Sequence, residues 1–529
     1  MIKHASNKAG NQTRNNMTNV SKSSNKSTPT KKCRIPSLTV DGGSARGSKT
    51  VKARLPKGLR DIGECEAYAQ NRMLRALSEV CTSWGFSALE TPILEYADAL
   101  GKFLPDEERP NAGVFSLRDD DEQWLALRYD LTAPLARYVA ENYDSLPKPF
   151  RRYQHGPVFR NEKPDPGRFR QFMQFDADIV GAPVPLADAE LCALAAKCMD
   201  TLGLKEKYSL HISNRKLLDG LLESIGLNKN ESGFAEKRLR VLRSIDKMER
   251  LGARAVTDLL GMGRKDKSGD YTPGAGLDQK AIEKVLALVE GHIDFPSLEA
   301  IMGETASGKE GIEQLHEMID LMKAFGVNED VIELDPTVVR GLDYYTGPIF
   351  EIKMGASDSR LTRFGSVGGG GRYDDLVTRF KGIEIPAAGF SIGISRLYTV
   401  LEAMKESSAI EGETLDVVIL LLDSTDRTEA VRITRELREA NIRAEVYLGS
   451  SGMRAQMRYA DRRSAKLAII QGEQERKRNE ITIRNLVLGK ELSASIKDSS
   501  QWKEGGEAQR SVARERLLEE VSKTLASQK

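Results

Sequence analysis

The chemistry of this chain is densest in residues 152–181, RYQHGPVFRNEKPDPGRFRQFMQFDADIVG, where two stretches of two-residue period flank a Pro/Gly loop and arginines cluster around the turn. On the returning stretch, alternation gives Arg170, Phe172, Gln174, Asp176 and Asp178 one face and Met173, Phe175, Ala177 and Ile179 the other. On the outgoing stretch Val158, Arg160 and Glu162 share a face. An apolar face packs on a core while the polar face looks into a cleft. Guanidinium forks suit phosphate oxygens, and Asp178 beside Gln174 can accept from a cationic or N–H-bearing ligand. The same alternation also fits an ordinary sheet with a salt-bridged, solvated outer face.

Three further segments carry polar groups in patterns. LRYDLTAP (127–134) sets Arg128, Asp130 and Thr132 at alternate positions, which predicts a second polar stripe on one strand face. VVRGLDYYTG (338–347) concentrates Arg340, Asp343, Tyr344 and Tyr345; the tyrosines also read as packing residues with hydroxyls at the surface. Gly368–Gly371 reads as a flexible turn or as a place where backbone approaches a ligand or another segment closely. There is no GxxxxGK[ST] phosphate cradle, and GSVGGGGRYDD is too irregular for a dinucleotide fingerprint. Five cysteines without CxxC and five histidines without HExxH point away from a structural metal, and a reducing compartment is expected.

The elements that must hold these groups follow from length and period. A chain of 529 residues, 40% apolar and 29% charged, predicts a multi-domain soluble protein. No run reaches the roughly 18 to 20 apolar residues of a membrane-spanning helix. A lead, LPKGLRDIG, starts near Leu55. Leu74, Leu77, Val80, Cys81 and Trp84 then follow helical spacing within 64–84, and FSALETPILEY (86–96) reads as a strand interrupted by Pro92, tolerable at an edge or an interface. Helices are expected at 136–143 and, between about Lys216 and Asn328, at 217–225, 234–251, 278–289 and 311–325, with a loose segment at 261–276. Strands resume at 331–354, before a Gly-punctuated run into a helix at 387–404. An all-helical block is thus inserted into an antiparallel sheet domain. After a polar linker (405–414), alternating strands and helices from Leu415 predict a separate α/β domain with a largely parallel core and a terminal helix over about 508–525.

Residues 1–52 carry eleven Lys/Arg against the single acid Asp41, so the overall charge of +2 divides into +10 there and −8 on the rest. This Ser/Asn/Thr/Gly-rich tail is expected to lack the apolar surface that would offset ordering. It could attract RNA through counterion release, serve as an organellar address, or be dispensable.

In order along the chain, the strand around Pro92, FRNE with its loop and GRFRQF, and GFSIGISRL resemble motifs 1, 2 and 3 of the class II aminoacyl-tRNA synthetases. RGLDYY and GGGRYDDL are similar to signatures of the histidyl-tRNA synthetase family, and the resemblance runs from about Leu55 to the C-terminus. It implies an α+β fold: 1–54 a basic tail, 55–215 and 329–405 a catalytic domain built on an antiparallel sheet flanked by helices, 216–328 a helical insertion, and 415–529 an α/β anticodon-binding domain. In that last domain Arg454, Arg458, Arg462, Arg463 and Lys466 could meet RNA phosphates, or form a solvated helix face.

The resemblance also implies roles. Arg160 would hold the ATP α-phosphate and the histidine carboxylate region, Arg340 the α-phosphate, Glu162 the adenine amino group, Arg168 the γ-phosphate, and Arg396 would stack on adenine. Asp130, Thr132 and Gln174 match positions that take the α-amino group; Asp178 and Tyr345 would bind the imidazole nitrogens, with Arg128 in support. The sequence departs from the family at Ser395, where Glu is usual, and at Asp130 and Asp178, where some members have Glu.

The implied reaction joins ATP, L-histidine and tRNA(His) on a cytoplasmic homodimer, with Mg2+ carried on the ATP phosphates, no metal held by the protein alone and no membrane. Attack of a carboxylate on the α-phosphorus brings two anions together, so preplaced cations suit that step. Two readings compete: a catalytically inactive paralogue acting as a histidine-sensing regulatory subunit of ATP phosphoribosyltransferase, and an RNA-binding protein without catalysis. The paralogue normally lacks the C-terminal module and has a degraded ATP site.

Overall fold

Period-two alternation in 150–180 becomes the longest hairpin of an eight-stranded sheet. The structure, a computed structural model, describes residues 52–100, 113–164, 169–227, 234–265, 269–290, 293–338, 345–355, 360–404, 415–422, 427–495 and 508–528. Residues 1–54 and 55–529 are separate units, and the fold below is that of the second. The expectations for residues 1–51, the 405–414 linker, Arg168, Arg340, Asp343 and Tyr344 lie outside the described residues.

The sheet's strands are β1 (Ser87–Ala88), β2 (Phe150–Phe159), β3 (Gln171–Val180), β4 (Tyr208–Asn214), β5 (Ile332–Leu334), β6 (Pro348–Met354), β7 (Ser366–Arg372) and β8 (Ala387–Gly393). Their order is β1-β2-β3-β8-β7-β6-β4-β5. The outermost pairs are parallel and every inner pair is antiparallel. Phe175, Ala177, Ile179, Ile352, Phe390 and Ile392 point to one side, where they pack on Leu77 and Cys81 of helix Glu64–Ser83, Leu194 of Leu186–Thr201 and Leu397 of Ile394–Met404. Each such large side chain taken wholly from water contributes about 1.5–3 kcal/mol. The opposite side is left for the polar face.

The four glycines form no turn. They lie within β7, at the centre of the sheet, because side chains do not fit there: a Cβ on Gly370 would sit 2.1 Å from the Gly389 carbonyl oxygen, and one on Gly371 2.6 Å from that of Pro348.

The insertion is helical with one correction. Helices Arg215–Ser224, Phe234–Ile245, Gln279–Val289 and Ala306–Ala324 match the expected segments; Ala253–Leu260 and Phe295–Met302 are additional. The segment expected to be loose contains a hairpin, Gly263–Lys265 with Tyr271–Pro273. Asn214, Asp278, Asp294 and Thr305 cap four of the helices by accepting backbone N–H bonds. Helix Ala306–Ala324 serves two cores: Ile312 and Leu315 join the insertion's, Met318 and Met322 the sheet's.

In the C-terminal domain β9 (Val417–Ile419), β10 (Ala444–Val446), β11 (Leu467–Ile470), β12 (Glu480–Asn485) and β13 (Gln509–Ala513) run in the order β10-β9-β11-β12-β13. The first three are parallel as expected, but β12 and β13 are antiparallel. The terminal helix therefore starts at Leu517, not near 508, because 509–513 alternates in exposure and pairs with β12. A small separate sheet joins Leu94–Tyr96 and Ser116–Arg118 through Trp124–Leu127. Among the described residues, no helix is long and apolar enough to cross a membrane.

Candidate active site

Strand register sets the polar face in rows. Arg152, Asp178 and Gly389 stand opposite one another across β2, β3 and β8; the next row is Gln154, Asp176 and Ser391; the next is Gly156, Gln174 and Gly393. The second row continues through Gly369 of β7 to Glu351 of β6. Gly389, opposite Asp178, leaves that side chain room: a Cβ on it would lie 1.9 Å from Asp178 Oδ1.

Above these rows lies a cavity of about 320 Å³. Arg160, Glu162, Phe169, Phe172 and Arg396 line it, together with Gln174, Tyr345, Glu351, Ser391 and the backbone of Gly368–Gly370. Arg160 is held by its Nε–H to the Tyr129 carbonyl at 3.2 Å and lies with Cζ 5.2 Å from the Phe172 ring centre. Arg396 is exposed and donates from Nη1 to the Ser366 carbonyl at 2.7 Å. Two anchored guanidinium groups thus share a hollow with aromatic rings and a side-chain-free floor, an arrangement that accepts a flat ring and its anionic substituents.

The deeper polar groups are electrostatically linked. Burial pushes the Asp178 carboxyl up, while Arg152, 2.7 Å away, and the Tyr373 hydroxyl, which donates to Oδ1, pull it down; the net direction is upward. Burial raises the Tyr345 hydroxyl, and Asp176, Asp178, Glu351 and Asp130 raise it further, so it remains a donor. Burial also raises Asp130, against the Ala133 N–H bond at 3.0 Å and Arg160.

Comparison with known proteins bears on this arrangement. A family model described as histidyl-tRNA synthetase matches residues 58–397, and one described as anticodon binding domain matches 416–523. A histidine–tRNA ligase of Bartonella quintana is 51% identical over 497 residues, covering 92% of this chain and 99% of its own. One of Brucella ovis is 50% identical over 491 residues, covering 90% and 97%. The chain belongs to the histidyl-tRNA synthetase family. The fold agrees: a crystal structure of histidyl-tRNA synthetase from Nostoc sp. PCC 7120 superposes with TM-score 0.68 at 24% identity, covering 90% of this chain and all of that one. A Bacillus halodurans structure described as an ATP phosphoribosyltransferase regulatory subunit/histidyl-tRNA synthetase covers 78% of this chain and 97% of its own, with TM-score 0.61 at 23% identity.

The residues expected from sequence divide within this histidyl-tRNA synthetase fold. Arg160, Glu162, Arg396, Gln174 and Tyr345 meet on one cavity. Asp178 is buried behind its wall, joined to Arg152 and Tyr373, and Asp130 and Thr132 lie outside the lining, at the start of helix Thr132–Asn142. Two expectations are corrected. Arg128, Asp130 and Thr132 do not form a strand stripe, because the strand ends at Leu127 and the helix begins at Thr132. Arg128 is not placed to reach a ligand: its Nη1 donates to the Thr91 carbonyl at 2.8 Å and its Nε to the Pro157 carbonyl at 3.0 Å, so it ties the segment after β1 to β2. Ser395 accepts the Met173 N–H at 3.1 Å, giving that departure from the family a local structural partner.

Sequence reading did not single out Arg152, Tyr373, Ser391 or Glu351. Folding the two runs about their loop already places Arg152 opposite Asp178, so the first was open to discovery; the others depend on pairing between distant segments. Arg372, in the same motif as Tyr373, is buried in an ion pair with Asp188 and supports the strand rather than the cavity.

Proposed function

We propose that the cavity on the polar face of the large sheet is where histidine is activated. The activity is that of a class II aminoacyl-tRNA synthetase: histidine is joined to tRNA at the expense of ATP. The observation that carries the assignment of the site is the meeting of Arg160 and Arg396 with Gln174 and Tyr345 on one cavity. In this reading the cations receive ATP, Glu162 meets the adenine amino group, and Arg168 and Arg340 complete the phosphate contacts. Gln174 accepts from the α-ammonium, helped by Asp130 and Thr132. Tyr345 donates to one imidazole nitrogen, and Asp178 supports the other through a small adjustment of the buried Arg152–Asp178–Tyr373 group.

The carboxylate of histidine attacks the α-phosphorus, pyrophosphate leaves, and the histidyl-adenylate then passes histidine to a ribose hydroxyl at the tRNA 3′ end. Arg160 holds both anions in line and offsets charge gathering on the α-phosphoryl oxygens. Losing one such donor slows comparable reactions about 100- to 1000-fold. Among the described residues no cluster of three acidic, histidine or cysteine ligands would hold a metal alone. Glu162 and Glu351 are the carboxylates on the wall, and they fit Mg2+ arriving with the ATP phosphates, whose charge the ion would reduce.

The work divides among a catalytic domain (55–215 and 329–405), the helical insertion (216–328) and an anticodon-reading domain (415–529). Arg454, Arg458 and Arg462 are exposed at four-residue spacing on helix Met453–Arg462, as an RNA-facing stripe requires. The chain works as a homodimer, for which the small sheet offers an apolar outer face of Leu94, Tyr96 and Leu117, each more than 40% exposed. It works in the cytoplasm, in keeping with free cysteines at Cys65, Cys81, Cys192 and Cys198. The regulatory-subunit reading is disfavoured by the anticodon-binding domain and the close ligase relatives. The test is ATP–pyrophosphate exchange by the purified full chain with each amino acid in turn. Exchange with histidine alone is expected, and no exchange with histidine would overturn the assignment.

A further inference from the structure

Ser391, on β8, stands directly opposite Asp176 and one row from Gln174. Its hydroxyl oxygen accepts an N–H from Gln174 Nε2. Asp176, directly across the strand pair from Ser391, is the carboxyl placed to accept the single hydroxyl proton. A serine hydroxyl has one proton to give, so with an ionised Asp176 as acceptor the direction is amide to hydroxyl to carboxyl. With Asp176 protonated, the same direction requires the proton on Oδ1, which has no hydrogen-bond partner.

The consequence falls on the far end of Gln174. With Nε2 engaged, the atom left over is Oε1, which is buried and without a partner, in a side chain that is 7% exposed and lines the cavity. A buried carbonyl oxygen left this way costs free energy until a donor arrives. Without Ser391 the amide could turn over and present N–H groups instead, which would repel a cationic donor.

We propose that Ser391 and Asp176 are positioning residues that lock the Gln174 amide with its oxygen toward the ligand, and so make the cavity selective for a substrate carrying an ammonium group. This rests on the reading of the cavity as the histidine-activating site, and it adds the device by which an amino acid is told from its des-amino analogue. Neither residue need touch the substrate. They act through Gln174.

The test measures the KM of histidine and of ATP in pyrophosphate exchange, and the inhibition constant of imidazolepropionate, which keeps the ring and carboxylate but lacks the amine. The proteins compared are the unaltered full chain, Ser391→Ala, Asp176→Ala and the double variant. Ser391→Ala should raise the histidine KM about tenfold, the scale of one hydrogen bond to a charged group. It should leave the ATP KM and the imidazolepropionate constant within about twofold. The double variant should lose no more than the worse single one, since links of one chain are not additive. A histidine KM unchanged in Ser391→Ala, a parallel rise for imidazolepropionate, or additive losses would each overturn the proposal. If Asp176→Ala does not fold, Ser391→Ala decides alone. Absence of histidine-dependent exchange in the unaltered chain would instead remove the underlying reading of the site.

Discussion

Asp176 is a residue whose ionisation touches stability. Burial pushes its carboxyl up to about 8; Arg152 and Ser391 oppose this while Asp178 and Asp130 add to it. An unfolded Asp titrates near ~3.9, so the folded chain holds this proton more tightly than the unfolded one. The stability so gained is full below about pH 4 and is lost as pH rises through about 8. The expected outcome is a melting temperature that drops between pH 6 and pH 9 in the native chain and drops less in Asp176→Asn, followed by circular dichroism. Equal drops in the two proteins would mean that Asp176 does not titrate in this window. At this scale the sequence was legible where period and motif coincide: Arg160, Glu162, Gln174, Arg396 and Tyr345 reach one cavity. It was misleading at Arg128, because alternate positions look alike whether a strand continues or, as here, turns into a helix. Ser391 was illegible, since a serine's meaning depends on which residue stands across from it.

Among the elements, β7 and β8 show most plainly what the site demands. A strand bearing Gly368–Gly371 has no propensity to recommend it and persists because neighbours pair with it on both sides. Gly389 opens room for Asp178 in the same way. Gly389→Ala would force a methyl against Asp178 Oδ1 and within 3.0 Å of the Ala177 carbonyl oxygen, disturbing the pairing with Arg152. The expected loss is at least about 2 kcal/mol, the ordinary cost of overpacking with a buried ion pair displaced besides. Urea denaturation measures it, and a change under about 0.5 kcal/mol would mean that the strand relaxes freely. Helix spacing and alternation were strong enough to place helix Glu64–Ser83, the long hairpin and the parallel half of the C-terminal sheet. They were too weak for Gln509–Ala513, whose five residues alternate in exposure only because β12 lies alongside.

For the whole molecule, the small sheet's outer face supplies the test of assembly. Leu94, Tyr96 and Leu117 point away from the buried Ala126 and lie in register through Leu125 and Leu127. On the proposed homodimer, Leu117→Asp should shift sedimentation at micromolar concentration from dimer to monomer; an unaltered dimer would place the contact elsewhere, and a monomeric native chain would remove the proposed dimer. Helix Ala306–Ala324 was readable from its spacing, but the sharing of its side chains between two cores was not, since that depends on distant segments packing on both of its faces. That sharing has a calorimetric meaning. A helix that contributes side chains to two interiors cannot leave one without unravelling the other, so sheet and insertion should absorb heat in a single transition, with the C-terminal domain free to give its own.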